Sequence, residues 1–328
     1  MTNHLSLKEN YLRALRGEVP EYVPRSSMFF QVRPDFFNGD RVGGVGKDIY
    51  GVEWVIDDSA IAAAIPKPND YILDDICNWR DVIKFPDLSD LDWEAMSKKD
   101  IEGHNPEYPR SCRIAHGGYF QTVMNFLGFT NGLLALYEEP EEVKALINYL
   151  CDEHLKIADK LLQYYQPDFV TFGDDIATER NTFVSIDTFH DIFEPVWRRN
   201  LKYYKDRGYL ASHHNCGKVE SFIDDIVDMG FNAWDPAQIS NDLAAIKKRH
   251  NSKLLIVGGF DSRTLMLPHL EFSEEEIRTA VRDTMNTLAP GGGYCFPGVA
   301  SQSDDDPKIK QRADWINDEY EQLKFSYS

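Results

Sequence analysis

The chain has 328 residues, of which 42% are hydrophobic and 27% are charged, and its formal net charge is −19 at pH 7. A surface this acidic repels phosphate backbones and anionic lipids, so we expect neither nucleic-acid nor membrane partners. No window approaches 18 apolar residues, and the start, MTNHLSLKEN, lacks the apolar core of a secretion signal, which predicts a cytoplasmic protein whose five cysteines are reduced.

The N-terminal third of the sequence predicts a helix, a strand and a hairpin. Ser6 and Glu9 have the spacing of a capping box, and apolar residues at helical spacing follow them. Pro24 precedes RSSMFF (25–30), which predicts a first strand. Residues 51–66, GVEWVIDDSAIAAAIP, predict a hairpin outside the main repeat.

After about residue 110, short apolar strands alternate regularly with helical stretches. One helix begins at Pro140, and another begins at Ser273, where Glu276 completes a second capping box. This alternation predicts parallel strands joined by crossover helices. The predicted strands are 112–117, 168–173, 209–214, 231–235, 254–259 and 293–296.

Together with the first strand, these segments make seven strands, one fewer than a regular (β/α)8 barrel has. We therefore expect an α/β fold, a distorted (β/α)8 TIM barrel in which one strand is disguised or missing. The sequence contains no linker, low-complexity run or internal repeat. We expect a single domain over residues 1–328, with a helical and hairpin extension over about residues 1–110.

The loops after the strands of such a barrel gather on one face, and that face carries the active site. His214 and Cys216 follow one predicted strand, and Cys295 lies in GGGYCFPG at the last one. Two thiolates and an imidazole are the ligand set of a catalytic zinc with one open position. A lone His-x-Cys is a weak signal, however, and most isolated cysteines are core residues. The other polar residues at strand ends are Gly117 to Gln121, Asp174, Asp175, Glu179, His213, Asn215, Asp235, Gln238 and Asp261.

The remaining cysteines and two further histidines are expected to pack in the core. Cys77, Cys112 and Cys151 have no comparable setting. His154 falls on the apolar stripe of the helix that begins at Pro140, and His213 alternates with His214, so its side chain points the opposite way.

Several sequence blocks, in the same order, resemble the uroporphyrinogen decarboxylase superfamily, and within it the cobalamin-dependent methyltransferase branch. They are NYLRALRGEVPEYVP, DIYGVEWV, FGDDIATE, HHNCGKVESFIDDIVDMGFNAWDPAQ, GGFD and APGGGYCFPG. The resemblance covers nearly the whole length. It implies the barrel of that family and a zinc ion held by His214, Cys216 and Cys295.

The resemblance also implies methyl transfer between a small methylated substrate and the cobalt of a corrinoid (cobalamin). Corrinoid domains of the usual type resemble one another in a D-x-H-x-x-G motif. The nearest stretch here, DTFHDI (187–192), has its histidine one place late and no glycine, so we expect the corrinoid on a separate partner protein. Asp174, Asp175 and Glu179 are the expected proton donors or fourth zinc ligand, and Tyr119, Gln121 and Asp261 are expected to contact the cofactor.

Three alternatives stay open at this point. The favoured substrate is a methoxylated, possibly aromatic compound that loses its methyl group, but a thiol that accepts a methyl group would need the same zinc ligands. A decarboxylase is the second alternative, although the Arg-rich R-Q-A-G-R segment of those enzymes is replaced here by SSMFFQVRPDF. A structural zinc site is the third, but such sites close with four protein ligands. The aromatic and sulfur-containing side chains expected near the barrel mouth are Met28, Phe29, Phe30, Tyr119, Phe120 and Phe296.

Overall fold

The computed structural model describes residues 4–57, 64–115, 117–297 and 306–327. The N-terminal region contributes α1 (Leu7–Leu15) and β1 (Phe30–Val32), followed by a small antiparallel sheet of β2 (Gly46–Lys47), β3 (Glu53–Ile56) and β4 (Ala64–Pro66). The short helix α2 (Trp79–Val82) and α3 (Trp93–Asp100) complete this region. The predicted hairpin is therefore the β3–β4 part of a three-stranded sheet, and its tip lies outside the described residues.

The remaining strands alternate with helices and build one parallel sheet together with β1. They are β5 (Arg110–Arg113), β6 (Phe169–Gly173), β7 (Leu210–His214), β8 (Ala233–Ala237), β9 (Leu255–Gly258) and β10 (Tyr294–Cys295), and the order in the sheet is β1-β5-β6-β7-β8-β9-β10. This is the α/β architecture expected, a seven-stranded parallel sheet curled into a distorted TIM barrel.

The two edges of the curled sheet meet at residues that precede β1. An isolated parallel bridge joins Arg25 to Phe296. The Phe296 amide donates a 2.9 Å hydrogen bond to the Pro24 carbonyl, and the Ser26 amide donates one of 2.9 Å to the Phe296 carbonyl. The disguised strand is therefore a short extended segment around Arg25.

The helices cover the outside of the sheet, and most of them cross over between successive strands. The longest, α6, begins at Pro140 and buries the predicted stripe, including Val143, His154 and Leu161. α12 begins after Ser273, with both hydrogen bonds of the predicted capping box formed. The helices after β5 are α4 (Tyr119–Leu127), α5 (Phe129–Glu138), α6 (Pro140–Tyr165), α7 (Ile186–Thr188), α8 (Glu194–Lys205), α9 (Ile223–Met229), α10 (Leu243–His250), α11 (Ser262–Leu265), α12 (Glu274–Leu288) and α13 (Pro307–Leu323).

Three local predictions need correction. Residues 26–28 form a 3-10 turn, so the first strand begins at Phe30 and not at Arg25. The second strand occupies 110–113 and not 112–117, because its pairing begins directly after Pro109, whose carbonyl accepts a hydrogen bond from the Phe30 amide. At α1, Ser6 caps the Glu9 amide as expected, but the Glu9 carboxylate binds Arg16 instead of closing the box.

The interior of the barrel differs between its two ends. At the amino ends of the strands, α1 closes the barrel and packs Tyr11 and Leu15 against Phe169 and Leu255. The carboxyl ends carry polar residues instead. No helix within the described ranges has both the length and the apolar character required to cross a lipid bilayer.

Candidate metal centre

Three possible metal ligands meet at the carboxyl ends of β6 and β7. His214 is the last residue of β7, Cys216 follows it, and Asp175 follows β6. Because β6 and β7 are parallel neighbours, with Gly173 opposite His214, the loops after them start side by side. The ligand atoms of Asp175, His214 and Cys216 all lie within 4.8 Å of one another.

The spacing of these atoms suits a zinc ion. His214 Nε2 is 3.7 Å from Cys216 Sγ and 3.9 Å from Asp175 Oδ1. Bonds of 2.0–2.3 Å in a tetrahedral site place two ligand atoms about 3.5 Å apart. An imidazole nitrogen, a thiolate and a carboxylate oxygen are all accepted zinc ligands. The residues present therefore fit a zinc ion with small adjustments.

A second group of hydrogen bonds orients the three ligands. Asp235 Oδ1 lies 3.1 Å from His214 Nδ1, which leaves Nε2 directed toward Cys216. Asp175 Oδ1 accepts a 2.8 Å hydrogen bond from the Cys216 amide, and Gln121 Nε2 donates to Asp175 Oδ2 at 3.2 Å. Carboxylate–histidine pairs of this kind fix the tautomer and orientation of a metal-binding imidazole.

The charge around His214 also favours a cation at this position. Burial acts to lower the pKa of His214, but the hydrogen bonds with Asp235 and Cys216 outweigh it and raise the pKa to about 10. The metal-free site therefore holds a proton on the imidazole. A metal ion at Nε2 replaces that proton, because a ligating histidine must be neutral.

Cys295 faces the barrel interior but is not part of this group. It lies on β10 opposite Val257 and packs with Tyr11 and Leu15. Its side chain is fully buried, and its thiol lies 3.8 Å from the Phe296 carbonyl. Burial, and then the charge of Asp235, raise the pKa of the Cys295 thiol well above its usual value. The thiol is thus within electrostatic range of the centre, although it is not among the three ligand atoms brought together.

The two adjacent aspartates have different environments. Asp174 is fully buried and accepts hydrogen bonds from the amides of Phe120 (2.8 Å) and Gln121 (3.0 Å) and from Trp197 Nε1 (3.2 Å). It therefore caps the first turn of α4. A Cβ atom on Gly118 would lie 1.9 Å from Asp174 Oδ1, so glycine is required there. Burial raises the pKa of Asp174 to about 7. Only Asp175 is directed toward the metal centre.

Three other predicted site residues lie outside this cluster. Glu179 forms an exposed ion pair with Arg263 at 2.9 Å on the rim of the barrel. Asp261 caps α11 by accepting a hydrogen bond from the Thr264 amide. Tyr119 is buried, and its hydroxyl accepts a 2.6 Å hydrogen bond from Asn200. Of the three residues expected to contact the cofactor, only Gln121 adjoins the centre.

The expected aromatic lining of the mouth is wrong for three of the six residues proposed. Like Tyr119, Phe120 and Phe296 are almost completely buried. Phe120 stacks on Phe183, and Phe296 packs against Phe260 and Tyr320. Tyr119 and Phe120 lie on the buried face of α4 and Phe296 follows β10, so these rings pack in the core and not at the mouth. The other residues proposed are partly exposed: Phe29 packs on Tyr11 and Phe169, Phe30 packs on His104, and Met28 lies in the turn before β1.

The predictions for the other cysteines and histidines hold with one exception. Cys112, Cys151, His154 and His213 are buried. Cys77 is exposed, because it lies in a 3-10 turn on the surface that is capped by Asp75.

Two residues at the centre escaped the sequence analysis. Arg113 and Thr171 face the barrel interior from β5 and β6, where Arg113 pairs in register with Thr171. A Cβ atom on Gly173 would lie 3.1 Å from Arg113 Nη2 and 3.2 Å from His214 Cβ, so the guanidinium lies beside the metal centre. The available signal was an arginine inside the apolar stretch SCRIA.

Comparison with known proteins places this barrel among methyltransferases and decarboxylases. The family model for uroporphyrinogen decarboxylase (URO-D) matches residues 115–297. Among curated proteins, the methylcobamide:CoM methyltransferase MtaA of Methanosarcina barkeri is 27% identical over 127 residues, which are 38% of this chain and 36% of that protein. The matched stretch thus spans just over a third of that relative.

A solved structure agrees with the whole fold. A methyltransferase from Methanosarcina mazei superposes with a TM-score of 0.66 at 14% sequence identity, over 97% of this chain and 100% of that chain. At this level of identity, the match establishes the barrel and its topology.

Proposed function

The chain belongs to the uroporphyrinogen decarboxylase (URO-D) family, and we propose that it is a zinc-dependent methyltransferase. In this proposal it moves a methyl group between a small methylated substrate and the cobalt of a corrinoid carried by a separate protein. The observation that carries the proposal is the cluster of His214, Cys216 and Asp175 at the carboxyl ends of the strands. That face is where barrels of this type place their active sites.

We assign zinc to His214 and Cys216, with Cys295 as third ligand and Asp175 as the fourth, exchangeable one. The inward orientation of Cys295 and its proximity to Asp235 support its inclusion. When bound, zinc supplies a Lewis acid that stabilises negative charge on the heteroatom that loses or accepts the methyl group.

The other residues of the centre hold and orient these ligands. Asp235 fixes the imidazole of His214 so that Nε2 is available. Gln121 and the Cys216 amide hold Asp175 in place until substrate displaces it. Asp174 positions α4, and with it Gln121, through its two backbone hydrogen bonds.

Our favoured substrate is a methoxylated compound that undergoes O-demethylation. The alkoxide or phenoxide that leaves is basic, so its departure needs a group that stabilises the developing charge. The burial of Tyr119, Phe120 and Phe296 removes the support for a specifically aromatic substrate.

A thiol acceptor is the second candidate, and one observation favours it. The curated relative is named a methylcobamide:CoM methyltransferase. In that direction the same ligands would lower the pKa of a bound thiol, so that a thiolate takes the methyl group from cobalt.

Decarboxylation, the activity for which the family is named, is less well supported by the residues present. A tetrapyrrole with many carboxylates needs several free cations. Arg25 is engaged with Asn317 and lies over the Tyr320 ring, which leaves it unavailable. A cofactor-free decarboxylation also has no use for the His214 and Cys216 ligands.

The test combines metal analysis with a turnover assay. Purified protein should contain about one zinc per chain, and zinc-loaded protein should demethylate a methoxylated donor only when a cobalt(I) corrinoid protein is added. The reverse assay offers a methylcorrinoid protein and a thiol. Robust multiple turnover in a corrinoid-free mixture would contradict the proposal.

Two variants separate the assigned ligands. Cys295→Ser should release zinc if the thiol is a ligand, and Asp175→Asn should weaken retention by a smaller factor, because a carboxylate is the exchangeable donor. Cys151→Ser, a buried cysteine on α6, is the matched control and should retain zinc. Full zinc occupancy in Cys295→Ser removes that residue from the site and leaves Asp175 as third ligand.

A further inference from the structure

Arg113 is a cation inside the barrel mouth, beside the metal centre. Within the described residues its guanidinium forms no hydrogen bond or ion pair, and the side chain is only partly exposed. Burial, and then the nearby charge of Arg33, lower the pKa of Arg113 to about 10, so it stays cationic at neutral pH. Asp175 and Asp235 are close enough to influence it, but neither reaches ion-pair distance.

The residues at the same height as Arg113 on the neighbouring strands carry hydroxyl groups. Arg113 pairs in register with Thr171, and Thr171 pairs with Ser212. Register partners point to the same face of a sheet, and this face is the interior, because Phe169 and Leu210, two residues before Thr171 and Ser212, pack with α1. His214, two residues after Ser212 on β7, lies on the same face and closer to the carboxyl end of the strand.

Some of the polar atoms in this part of the barrel have no hydrogen-bond partner in the described part of the chain. The Thr171 hydroxyl and the Ser111 hydroxyl are buried and form no hydrogen bond with any described residue. Buried polar groups in proteins are normally satisfied, so an unpaired guanidinium above unpaired hydroxyls indicates a bound group that accepts hydrogen bonds. A guanidinium binds carboxylates and related oxyanions better than any neutral acceptor.

The absence of a side chain at Gly173 leaves room for the guanidinium of Arg113. Gly173 separates Arg113 Nη2 from the base of the His214 side chain, and a Cβ atom there would lie within 3.2 Å of both. Arg33, at the exposed rim after β1, adds a second positive charge. In a protein with a net charge of −19, two arginines thus stand next to the metal centre, together with the carboxylates of Asp175 and Asp235.

We propose that Arg113 and Thr171 bind an anionic group of the substrate, so that the methylated compound is a small carboxylate or sulfonate. The anion lies on the guanidinium, and a short chain or one ring places the methyl-bearing heteroatom at His214 and Cys216. This assignment of substrate class rests on the proposed function, whereas the anion site itself does not require zinc.

The test compares acids with neutral analogues of the same shape. Binding of 3-methoxypropionate and 3-methoxypropionamide, and of 3-methoxybenzoate and 3-methoxybenzamide, is measured by titration calorimetry with the full chain, both zinc-loaded and zinc-free. We expect each acid to bind about tenfold tighter than its amide. Equal results for acid and amide in both pairs, including binding by neither, overturn the proposal.

Variants of Arg113 and Thr171 test whether these residues cause the preference for the acid over the amide. Arg113→Met should remove the preference for the acid and leave amide binding unchanged, and Arg113→Lys should restore part of it. Arg180→Met removes an exposed arginine from the loop after β6 and should keep the full preference. If Arg113→Met does not fold, as judged by circular dichroism, Thr171→Val takes its place and should weaken acid binding alone. A preference that survives these changes overturns the proposal.

The results also distinguish this inference from the proposed function. A preference for acids that persists in zinc-free protein, with no methyl transfer under any condition, would sustain the anion site and reject the methyltransferase. Methyl transfer from acids and amides at equal kcat/KM would sustain the methyltransferase and reject the anion site.

Discussion

The two ends of the barrel are built from the same strands but with opposite chemistry. At the amino ends, Tyr11 and Leu15 of α1 are almost completely buried against Phe169 and Leu255. This end is closed by apolar contacts, which stabilise the fold and leave no room for a ligand.

At the carboxyl ends, the interior side chains are polar and incompletely satisfied. His214, Cys216 and Asp175 are partly exposed, Arg113 has no ion-pair partner among the described residues, and the Thr171 hydroxyl has no hydrogen-bond partner there. Under the proposed function, the difference separates two tasks along the barrel axis: the amino end stabilises the fold, and the carboxyl end binds metal and substrate. Substitutions at the two ends should therefore affect different measurements.

The largest effect is expected from loss of a metal ligand at the carboxyl end. Cys216→Ser replaces a thiolate by a poor zinc ligand, so zinc affinity should fall by more than about 100-fold and methyl transfer should be lost. The melting temperature of the metal-free protein should change little, because a barrel of this size does not depend on zinc to fold.

Cys151→Ser is the control, since Cys151 is buried in the core contacts of α6, away from the centre. Metal content by mass spectrometry and the corrinoid assay are the measurements. Normal zinc content and turnover in Cys216→Ser would remove this residue from the site.

The opposite result is expected at the amino end. Leu15→Ala removes a side chain that is 1% exposed, and the cavity should cost about 2–5 kcal/mol of unfolding free energy. Zinc affinity of the folded protein should stay within about twofold of the wild type, because His214, Cys216 and Asp175 lie at the carboxyl ends of the strands, away from Leu15.

Leu134→Ala, at an exposed position of α5, should change stability by less than about 0.5 kcal/mol. Urea unfolding measures both variants. A large loss of zinc affinity in folded Leu15→Ala would show that the two ends are coupled.

Most of the fold could be predicted from the sequence, because apolar strands and well-capped helices repeat regularly after residue 110. The capping box at Ser273 and the helix start at Pro140 were located correctly, since these signals are local. The start of the first strand was misplaced, because Arg25 does not pair with β5 as β1 does but with Phe296, about 270 residues away. No local pattern reveals such a contact.

The candidate site was only partly predictable for a similar reason. The spacing of His214 and Cys216 indicated a metal site. The sequence Gly-Asp-Asp (173–175) does not reveal, however, that Asp174 caps a helix while Asp175 faces the centre. That division depends on the close approach of Gly118. Arg113 was missed, because a single arginine in a strand is usually a surface residue.

A smaller effect is expected from the residue that orients the imidazole. Asp235→Asn keeps the size of the side chain but removes the charge that faces His214 Nδ1. Loss of such a partner typically lowers metal affinity about 10–100-fold, which is less than the loss of a ligand.

Competition with a zinc-binding dye measures this change. Asp242→Asn, which alters the cap of α10 without touching the centre, should leave zinc affinity unchanged. An unaltered affinity in Asp235→Asn would mean that the metal does not use the tautomer fixed by this carboxylate.

The smallest effect concerns Lys247, a cation near the amino end of the barrel. We expect it to make the unfolding free energy depend on pH without affecting zinc binding. Lys247 is 8% exposed, and its ammonium group donates a hydrogen bond to the Gly292 carbonyl. Burial lowers the pKa of Lys247 from 10.5 to about 8. Between pH 8 and 10.5 the unfolded chain therefore binds more protons than the folded protein, so this group makes the unfolding free energy rise with pH.

Lys247→Met should remove this rise. Relative to the wild type, the variant should lose about 1–3 kcal/mol of unfolding free energy as the pH increases from 7 to 10.5, since methionine has no proton to release. Lys248→Met, an exposed neighbour on α10, should follow the wild-type curve. Urea unfolding at a series of pH values measures the difference, and zinc content at pH 7 should be the same in all three proteins. Parallel curves for Lys247→Met and the wild type would show that this ammonium group is not desolvated by the fold.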